Sequence, residues 1–322
     1  MSKGLVCIFG ADGALGRQIV EKLAGDGWRI RAAVRRPHTA GELLVPGRVG
    51  QIQIVQANVR YRLSVSKAVT GCDAVINLAG ILREKGRQTF NGVHNIGARN
   101  VAEAACNADI DNMVHISALG ANAASGSKYL RSKADGEQAV RDTVPKADIL
   151  RPALMFGPQD GFITGLARLA MLSPVMPVPG GGHTKMQPVY VTDIAEAVRR
   201  IVAEGSSGQI RELGGPQVLS LRQITEFVLE ATDRKRLLVP IPWFVMNMMG
   251  MVGSALGHIP LVKPWITSDQ VKLLREDMVV PDDAPGLKAL GIIPETLAAI
   301  MSEALIPYRK YGQFHEMIVE DV

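Results

Sequence analysis

Residues 5–27 read LVCIFGADGALGRQIVEKLAGDG, the most informative stretch of the chain for its fold class. The apolar run Leu5–Phe9 is typical of a buried strand, and the residues after it carry apolar side chains at helical spacing. Gly10, Gly13 and Gly16 lie between the two in the pattern G-x-x-G-x-x-G. Glycine permits a tight turn and lets a pyrophosphate approach the backbone at the positive end of the helix. The stretch therefore predicts a dinucleotide-binding loop.

Further apolar runs alternate with helical patterns along the first half of the chain. Their hydrophobicity is mostly continuous, as expected of strands that are covered on both faces. Strands that alternate with helices indicate βαβ units and a parallel sheet. The predicted strands are Leu5–Phe9, Ile30–Val34, Ile52–Val55, Ala74–Leu78, Met113–Ile116 and Ile149–Leu150. The predicted fold class is α/β, a doubly wound parallel-sheet Rossmann fold with a smaller, mostly helical C-terminal region.

The alternation loosens after about residue 160. Proline and glycine interrupt the stretch MLSPVMPVPGGGH at residues 171–183, and the later helical patterns are not separated by strands. We therefore predict an NADP(H)-binding domain at residues 1–160, with residues 187–203 packing back on it. Residues 161–322 are predicted to form a smaller domain.

Composition narrows the classes of function. The chain has 322 residues and a formal net charge of +5, but its basic residues are dispersed and lack interleaved aromatic side chains. We therefore expect no nucleic-acid binding. The three cysteines, Cys7, Cys72 and Cys106, show neither a metal-ligand spacing nor a disulfide framework. They are expected to be buried, reduced and free of metal.

The residues after the second predicted strand indicate which dinucleotide is bound. An NAD-binding fold usually has an acidic residue there for the ribose hydroxyls. This chain has Arg35 and Arg36 instead, and Arg17 directly follows Gly16. Because a guanidinium group suits a 2′-phosphate, we predict that the cofactor is NADPH.

Several motifs resemble the short-chain dehydrogenase/reductase superfamily, of the extended or atypical kind. Besides the glycine loop, they are INLAG (76–80), HISALGA (115–121), YLRSK (129–133) and ILRPALMFGP (149–158). The resemblance implies that Ser117, Tyr129 and Lys133 are the catalytic set, if the chain is active. It also implies that Lys133 binds the nicotinamide ribose. The full set of predicted cofactor contacts is Gly10, Asp12, Gly13, Ala14, Leu15, Gly16, Arg17, Arg35, Arg36, Asn58, Val59, Leu78, Ala79, Gly80, Lys133 and Pro152.

The spacing of Tyr129 and Lys133 has a chemical reason. Residues four apart share one face of a helix, and an ammonium group near a phenol lowers the pKa of the phenol. Such a tyrosine can exchange a proton with a carbonyl while hydride moves to or from the nicotinamide. Tyr-x-x-x-Lys also occurs by chance on helices, and Lys133 alone could serve only to hold the cofactor. Both interpretations stay open.

Two positions depart from the superfamily pattern. His94 stands where extended members commonly have an Asn that supports the catalytic tyrosine, and Asn58 stands where an Asp often meets the adenine amine. An Asn oxygen can still accept that hydrogen bond. Cofactor binding therefore survives these changes better than chemistry does.

With the tail included, the chain resembles one branch, the nucleotide-binding accessory subunit of respiratory complex I (NADH:ubiquinone oxidoreductase) and its bacterial relatives. The motifs are SKYLRSKADGEQAVRD (127–142), LRPALMFGPQDGFI (150–163), QPVYVTDIA (187–195), KPWITSDQVKLL (263–274) and APGLKALGI (284–292). The resemblance implies a structural or regulatory subunit that holds NADPH among the other subunits of complex I. It also implies a peripheral place near the quinone-site region, on the cytoplasmic side of a bacterial inner membrane. The alternative is a free NADPH-dependent reductase or epimerase acting on an apolar substrate.

An apolar segment at residues 237–266 bears on both hypotheses. Residues 237–262 contain no Asp, Glu, Lys or Arg, but only 17 residues separate Pro242 from Pro260. That is too short for a membrane span of about 20 residues. The segment is either an interfacial helix, a Met-rich buried helix, or the wall of a pocket for an apolar substrate. We predict that it faces the membrane surface or a partner.

Overall fold

The computed structural model describes residues 3–256 and 266–314. Its strands are β1 (Leu5–Phe9), β2 (Arg29–Val34), β3 (Ile52–Gln56), β4 (Ala74–Asn77), β5 (Met113–Ile116), β6 (Asp148–Pro152), β7 (Met155–Phe156), β8 (Val175–Pro179), β9 (Lys185–Met186), β10 (Val189–Tyr190), β11 (Ile210–Leu213), β12 (Leu219–Ser220) and β13 (Leu237–Ile241). Its α-helices are α1 (Ala14–Gly25), α2 (Arg62–Val69), α3 (Ile96–Cys106), α4 (Lys128–Thr143), α5 (Ile163–Leu172), α6 (Val191–Glu204), α7 (Leu221–Ala231), α8 (Trp243–Leu256), α9 (Ser268–Leu273) and α10 (Leu297–Ala304).

Seven of the strands form one parallel sheet. Their order is β11-β6-β5-β4-β1-β2-β3, so the strand order reverses at β1. The register pairs Val6 with Ile30 on one side and with Ala74 on the other. Each strand predicted from an apolar run lies at the predicted place, and the Rossmann fold is confirmed. In such a sheet the carboxyl ends of the strands border the ligand crevice, beside the reversal point.

The sheet is buried on both faces, which explains the continuous apolar runs. On one face, Val75 and Met113 pack with Val101 of α3 and Val140 of α4, and all four side chains are fully buried. On the other face α1 packs against α6. Two cysteines are buried as expected, Cys7 and Cys72, but the expectation was wrong for the third. Cys106 is exposed, because it ends α3 on the side that faces solvent.

The chain folds into two compact units. The first runs to Pro152 and also takes Val191–Leu213 and Asp282–Ile293. Of the described residues, the second comprises those within Ala153–Tyr190 and Gly214–Pro281 and those from Pro294 to Phe314. The parallel sheet and helices α1–α4 and α6 belong to the first unit, which therefore contains the whole of the predicted cofactor site.

The part of the second unit that the structure describes is mostly helical, with three two-stranded sheets: β7 with β10, β9 with β12, and β8 with β13. Its core includes Phe156, Ile163, Ile224 and Met301. Helix α7 begins at a capping box, in which Ser220 and Gln223 exchange hydrogen bonds. Within the described ranges, none of the helices combines the length and the apolar character needed to cross a bilayer.

Candidate functional site

The glycine loop joins β1 to α1 and depends on two of its glycines for its shape. Gly10 has φ +82°, a conformation that favours glycine, and a Cβ there would lie 3.2 Å from the carbonyl carbon of Leu78. A Cβ on Gly16 would lie 2.5 Å from the carbonyl oxygen of Gly10. Helix α1 therefore packs directly on the backbone that precedes it, and the loop is held in a tight turn.

The N-terminus of α1 has the features of an anion-binding site. Gly13 is the N-cap residue, and within the described part of the chain no side chain caps this helix. The first N–H groups of a helix have no partner inside it, and the helix dipole makes them attractive to an anion. A Cβ on Gly13 would meet only the oxygen of Gly10, at 3.4 Å. The protein's own packing tolerates a larger residue there, so the small residue leaves room for a phosphate group against the backbone.

The three predicted arginines lie near this loop. The Arg17 Nε donates to the carbonyl oxygen of Asp12 at 3.3 Å, and Arg17 Nη1 forms an ion pair with Glu42. Arg35 and Arg36 follow β2, the strand next to β1, and both are exposed. Among the residues that the structure describes, neither forms a salt bridge. They are therefore accessible cations at the carboxyl end of β2.

The remaining predicted cofactor residues lie where the neighbouring strands end. Asn58 and Val59 follow β3, Leu78–Gly80 follow β4, and Pro152 ends β6. The side-chain oxygen of Asn58 accepts the N–H of Arg60 at 3.2 Å, and a carbonyl oxygen keeps a second lone pair for another donor. The fold thus brings the predicted cofactor residues to one edge of one sheet.

Lys133 is the one predicted cofactor residue on α4, and it lies at the same end of the sheet as the others. It is buried, and its Nζ donates to the carbonyl oxygen of Ile116 at 3.1 Å. Burial lowers the pKa of Lys133 to about 8, an effect that Glu137 partly opposes. A Cβ on Gly80 would lie 3.5 Å from Lys133 Nζ. The ammonium group therefore sits directly beside the loop that follows β4.

His94 links that loop to α4. Its Nε2 accepts the backbone N–H of Ile81 at 3.0 Å, so Nδ1 carries the proton and donates to the Ser132 hydroxyl at 2.8 Å. Ser132 in turn donates to the carbonyl oxygen of Tyr129 at 2.7 Å. Burial, with a contribution from Lys133, lowers the pKa of His94 to about 3. The imidazole is therefore neutral, and both of its nitrogens are engaged within the protein.

The aromatic ring of Tyr129 packs edge-on against His94, with ring centroids 5.4 Å apart, and against Phe90 at 5.8 Å. The expected lowering of the Tyr129 pKa was wrong, because burial raises that pKa to about 12. Ser117 directly follows β5, and its hydroxyl is buried without a hydrogen-bond partner among the described residues. The predicted catalytic set is thus gathered at one end of the sheet, but its tyrosine is held as a phenol.

Sequence reasoning missed part of this cluster. Asn77 ends β4 and donates to His115 Nδ1 of β5 at 3.1 Å, because the other end of its amide accepts the N–H of Ala79. His115 is fully buried, burial lowers its pKa to about 3, and its Nε2 has no partner within the described ranges. The sequence did contain one sign of this packing, because Gly136 lies in the middle of α4, where glycine is unfavourable unless a neighbour needs the space. Any Cβ there would collide with the carbonyl oxygen of His94.

A second candidate site lies in the other unit, on α8. Phe244, Met248, Met251 and Val252 are 73, 57, 61 and 55% exposed. The spacing i, i+4, i+7 and i+8 places them on one face of the helix. The opposite face packs against α9, where a Cβ on Gly250 would lie 3.0 Å from Ser268. Of the predicted segment 237–266, residues 257–265 lie outside the described residues, and these include Pro264 and Trp265 of the motif KPWITSDQVKLL.

Comparisons with known proteins agree with this architecture. Residues 10–167 match a family described as NAD(P)H-binding. The chain resembles the NADPH-dependent quinone oxidoreductase QOR2 of Escherichia coli, solved with NADPH, with a TM-score of 0.71 and 20% identity. The match covers 91% of this chain and 97% of that one, and at this identity it shows the fold alone.

Sequence relatives are more informative. The mitochondrial NADH dehydrogenase (ubiquinone) 1 alpha subcomplex subunit 9 of Mus musculus is 33% identical over 315 residues, covering 97% of this chain and 82% of the relative. A ceramide reductase of Caulobacter vibrioides is 35% identical over 204 residues, 63% of this chain and 61% of that protein. Because the first similarity spans nearly the whole chain, the chain belongs to the family of this complex I subunit, an extended branch of the short-chain dehydrogenase/reductase superfamily with an NAD(P)H-binding domain.

Proposed function

We propose that the chain is an NADPH-holding accessory subunit of respiratory complex I that does not turn its cofactor over. The observation that carries the proposal is the length of the similarity to subunit 9. It extends over 97% of the chain, far beyond the nucleotide-binding residues 10–167. Shared cofactor chemistry does not account for similarity in the rest of the chain.

The His94 cluster comprises His94 and the residues grouped around it, Asn77, Phe90, His115, Tyr129, Ser132 and Lys133. This cluster supports the proposal that turnover does not occur. Proton exchange at a carbonyl is most efficient when the pKa of the exchanging group lies near the working pH. Burial raises the pKa of Tyr129 to about 12, and both nitrogens of His94 are committed to Ile81 and Ser132. The groups around Tyr129 therefore organise the end of the sheet, while the open start of α1 and the exposed Arg35 and Arg36 remain available to bind a dinucleotide.

The apolar face of α8 supports peripheral docking, which we place on the cytoplasmic side of a bacterial inner membrane. Contiguous exposed apolar side chains commonly mark a contact with another protein or with a membrane. Phe244, Met248, Met251 and Val252 form such a surface, and the exposed Lys235 precedes it in the chain. An apolar face with a cation before it in the chain fits an anionic membrane surface.

Extraction of native membranes in mild detergent, followed by mass analysis of the intact complex, tests the assembly. We expect the chain to co-migrate with complex I and to carry one NADPH that resists dialysis. Phe244→Glu combined with Met251→Glu should release the chain from the membrane fraction. Leu63→Glu, which charges an apolar side chain that is 80% exposed on α2, should not. A chain that runs free of every respiratory enzyme would contradict the proposal.

The choice of NADPH over NADH rests on the arginines and has its own test. Arg35→Asp combined with Arg36→Ala should weaken NADPH binding by about tenfold or more and NADH binding far less, because only NADPH carries the 2′-phosphate. Arg29→Ala is the control, since Arg29 is exposed at the opposite end of β2. Equal weakening of both cofactors would show that these arginines do not read the phosphate.

A second candidate function is a free NADPH-dependent reductase or epimerase acting on an apolar substrate. It is favoured by the similarity to a ceramide reductase and by the arrangement of Tyr129 and Lys133 on α4. In that case the cofactor should exchange readily and be consumed with a lipid carbonyl compound. The rate should be lost in Tyr129→Phe. If both the wild-type chain and Tyr129→Phe retain NADPH and neither oxidises it, the accessory-subunit function is favoured.

A further inference from the structure

The partner of Arg17 is an unexpected feature of the cofactor site. Arg17 is the arginine closest in sequence to the glycine loop, and its Nε is oriented by the carbonyl oxygen of Asp12. Its Nη1 donates to a carboxylate oxygen of Glu42. One of the three cations predicted to meet the 2′-phosphate is therefore paired with an anion of the protein itself.

Glu42 is held at this place by the chain that follows β2. Residues Pro37–Thr39 and Gly41–Leu44 form two short 3-10 turns, and the first is fixed by the Thr39 hydroxyl, which donates to the carbonyl oxygen of Arg36 at 3.0 Å. Ala40 and Leu43 are buried at 2 and 3% exposure. The turns are thus anchored on both sides of Glu42, and they are continuous with the exposed Arg35 and Arg36.

The side chain of Glu42 itself is 73% exposed, so the ion pair is open to solvent. An exposed pair of this kind contributes little to folding stability, and salt screens it. Stability therefore does not explain the carboxylate. The Glu42 carboxylate occupies the Arg17 guanidinium, so it affects any other anion that binds there. The two negative groups repel each other when both contact the same guanidinium.

We infer that Glu42 is a specificity-determining residue of the cofactor site. It competes with the 2′-phosphate of NADPH for Arg17 and thereby reduces the preference for NADPH over NADH. This inference rests on the proposed function, in which the arginines read that phosphate. NADH has no 2′-phosphate, so Glu42 does not oppose its binding, and the Glu42 carboxylate can accept a hydrogen bond from a ribose hydroxyl.

The test is the affinity of Glu42→Gln for NADPH and for NADH, measured by cofactor fluorescence on the full chain. We expect NADPH to bind about threefold to tenfold more tightly and NADH to bind equally or more weakly. The gain for NADPH should shrink at high salt. Glu21→Gln is the matched control, because it removes the same charge from an exposed position on α1 and should leave the ratio of affinities unchanged.

The outcomes separate this inference from the proposed function. If the wild-type chain binds NADPH but Glu42→Gln leaves the ratio of affinities unchanged, or weakens NADPH binding, the inference is overturned and the proposed function stands. If the wild-type chain binds neither cofactor, the proposed function fails and the inference fails with it.

Discussion

The glycine loop after β1 and the His94 cluster after β4 and β5 lie at the same edge of one sheet. The polar groups of the loop are mostly open to a ligand, whereas most of those in the cluster are bonded to other protein groups. The loop leaves the start of α1 uncapped by any described side chain, and two arginines nearby are exposed. In the cluster, both nitrogens of His94 are bonded to protein partners, and Lys133 donates to Ile116. The exceptions among the described residues are the Ser117 hydroxyl and His115 Nε2, which have no hydrogen-bond partner. Groups kept open can bind a ligand, whereas groups bonded to each other mainly fix the shape of the protein.

The largest effect should come from closing the loop. Gly16→Ala places a methyl group 2.5 Å from the carbonyl oxygen of Gly10, so α1 must move away from β1. We expect the dissociation constant for NADPH to rise by about 100-fold or more, measured by cofactor fluorescence. Gly25→Ala is the matched control on the same helix, because a Cβ there meets nothing within 4 Å. Equal binding by both variants would show that the loop is not the cradle.

The cluster should respond in stability before it responds in binding. His94→Ala removes two buried hydrogen bonds and leaves a cavity beside Phe90 and Tyr129. We expect the free energy of unfolding to fall by about 2–4 kcal/mol in urea denaturation. Ile96→Ala, at an exposed position two residues on, should change it by less than about 0.5 kcal/mol. If His94→Ala unfolds like the wild type, the comparison between the two regions is wrong.

A smaller effect should appear on acidification. Burial lowers the pKa of His94 and of His115 to about 3, while the ordinary value in an unfolded chain is about 6.5. Between these values the unfolded chain binds more protons, so the free energy of unfolding falls as the pH is lowered. Each histidine should contribute a slope approaching about 1.4 kcal/mol per pH unit.

Urea denaturation at several pH values from 6.5 to 5 checks this slope, because most carboxylates stay ionised there. His38→Gln should keep the slope, since His38 is exposed. A free energy of unfolding that is constant over this range would mean that the two imidazoles are not buried in neutral form.

Much of the fold was predictable because the signals are local. Buried parallel strands produce continuous apolar runs, and a glycine loop between a strand and a helix has few other uses. The strand β11 was missed, because IREL is short and half-buried, with two charged residues among its four. Residues Asp282–Ile293 also join the first unit, although they lie between two segments of the second unit in sequence.

The sequence predicted which residues lie at the site better than it predicted their hydrogen bonds and charges. The positions of Arg35, Arg36 and Lys133 follow from the order of strands and helices along the chain. The roles of Glu42, Ser132 and Asn77 depend on partners that lie 25 to 38 residues away in sequence. No local sequence pattern predicts these pairings.

Most of the sheet, the glycine loop and the family could be predicted from the short-range spacing of residue types along the chain. The folded protein was needed to show that Tyr129 has a raised pKa, that His94 is neutral with both nitrogens bonded, and that Arg17 pairs with Glu42. The physical reason is that charge and proton affinity depend on burial and on neighbours in space, and both exist only once distant segments have packed together.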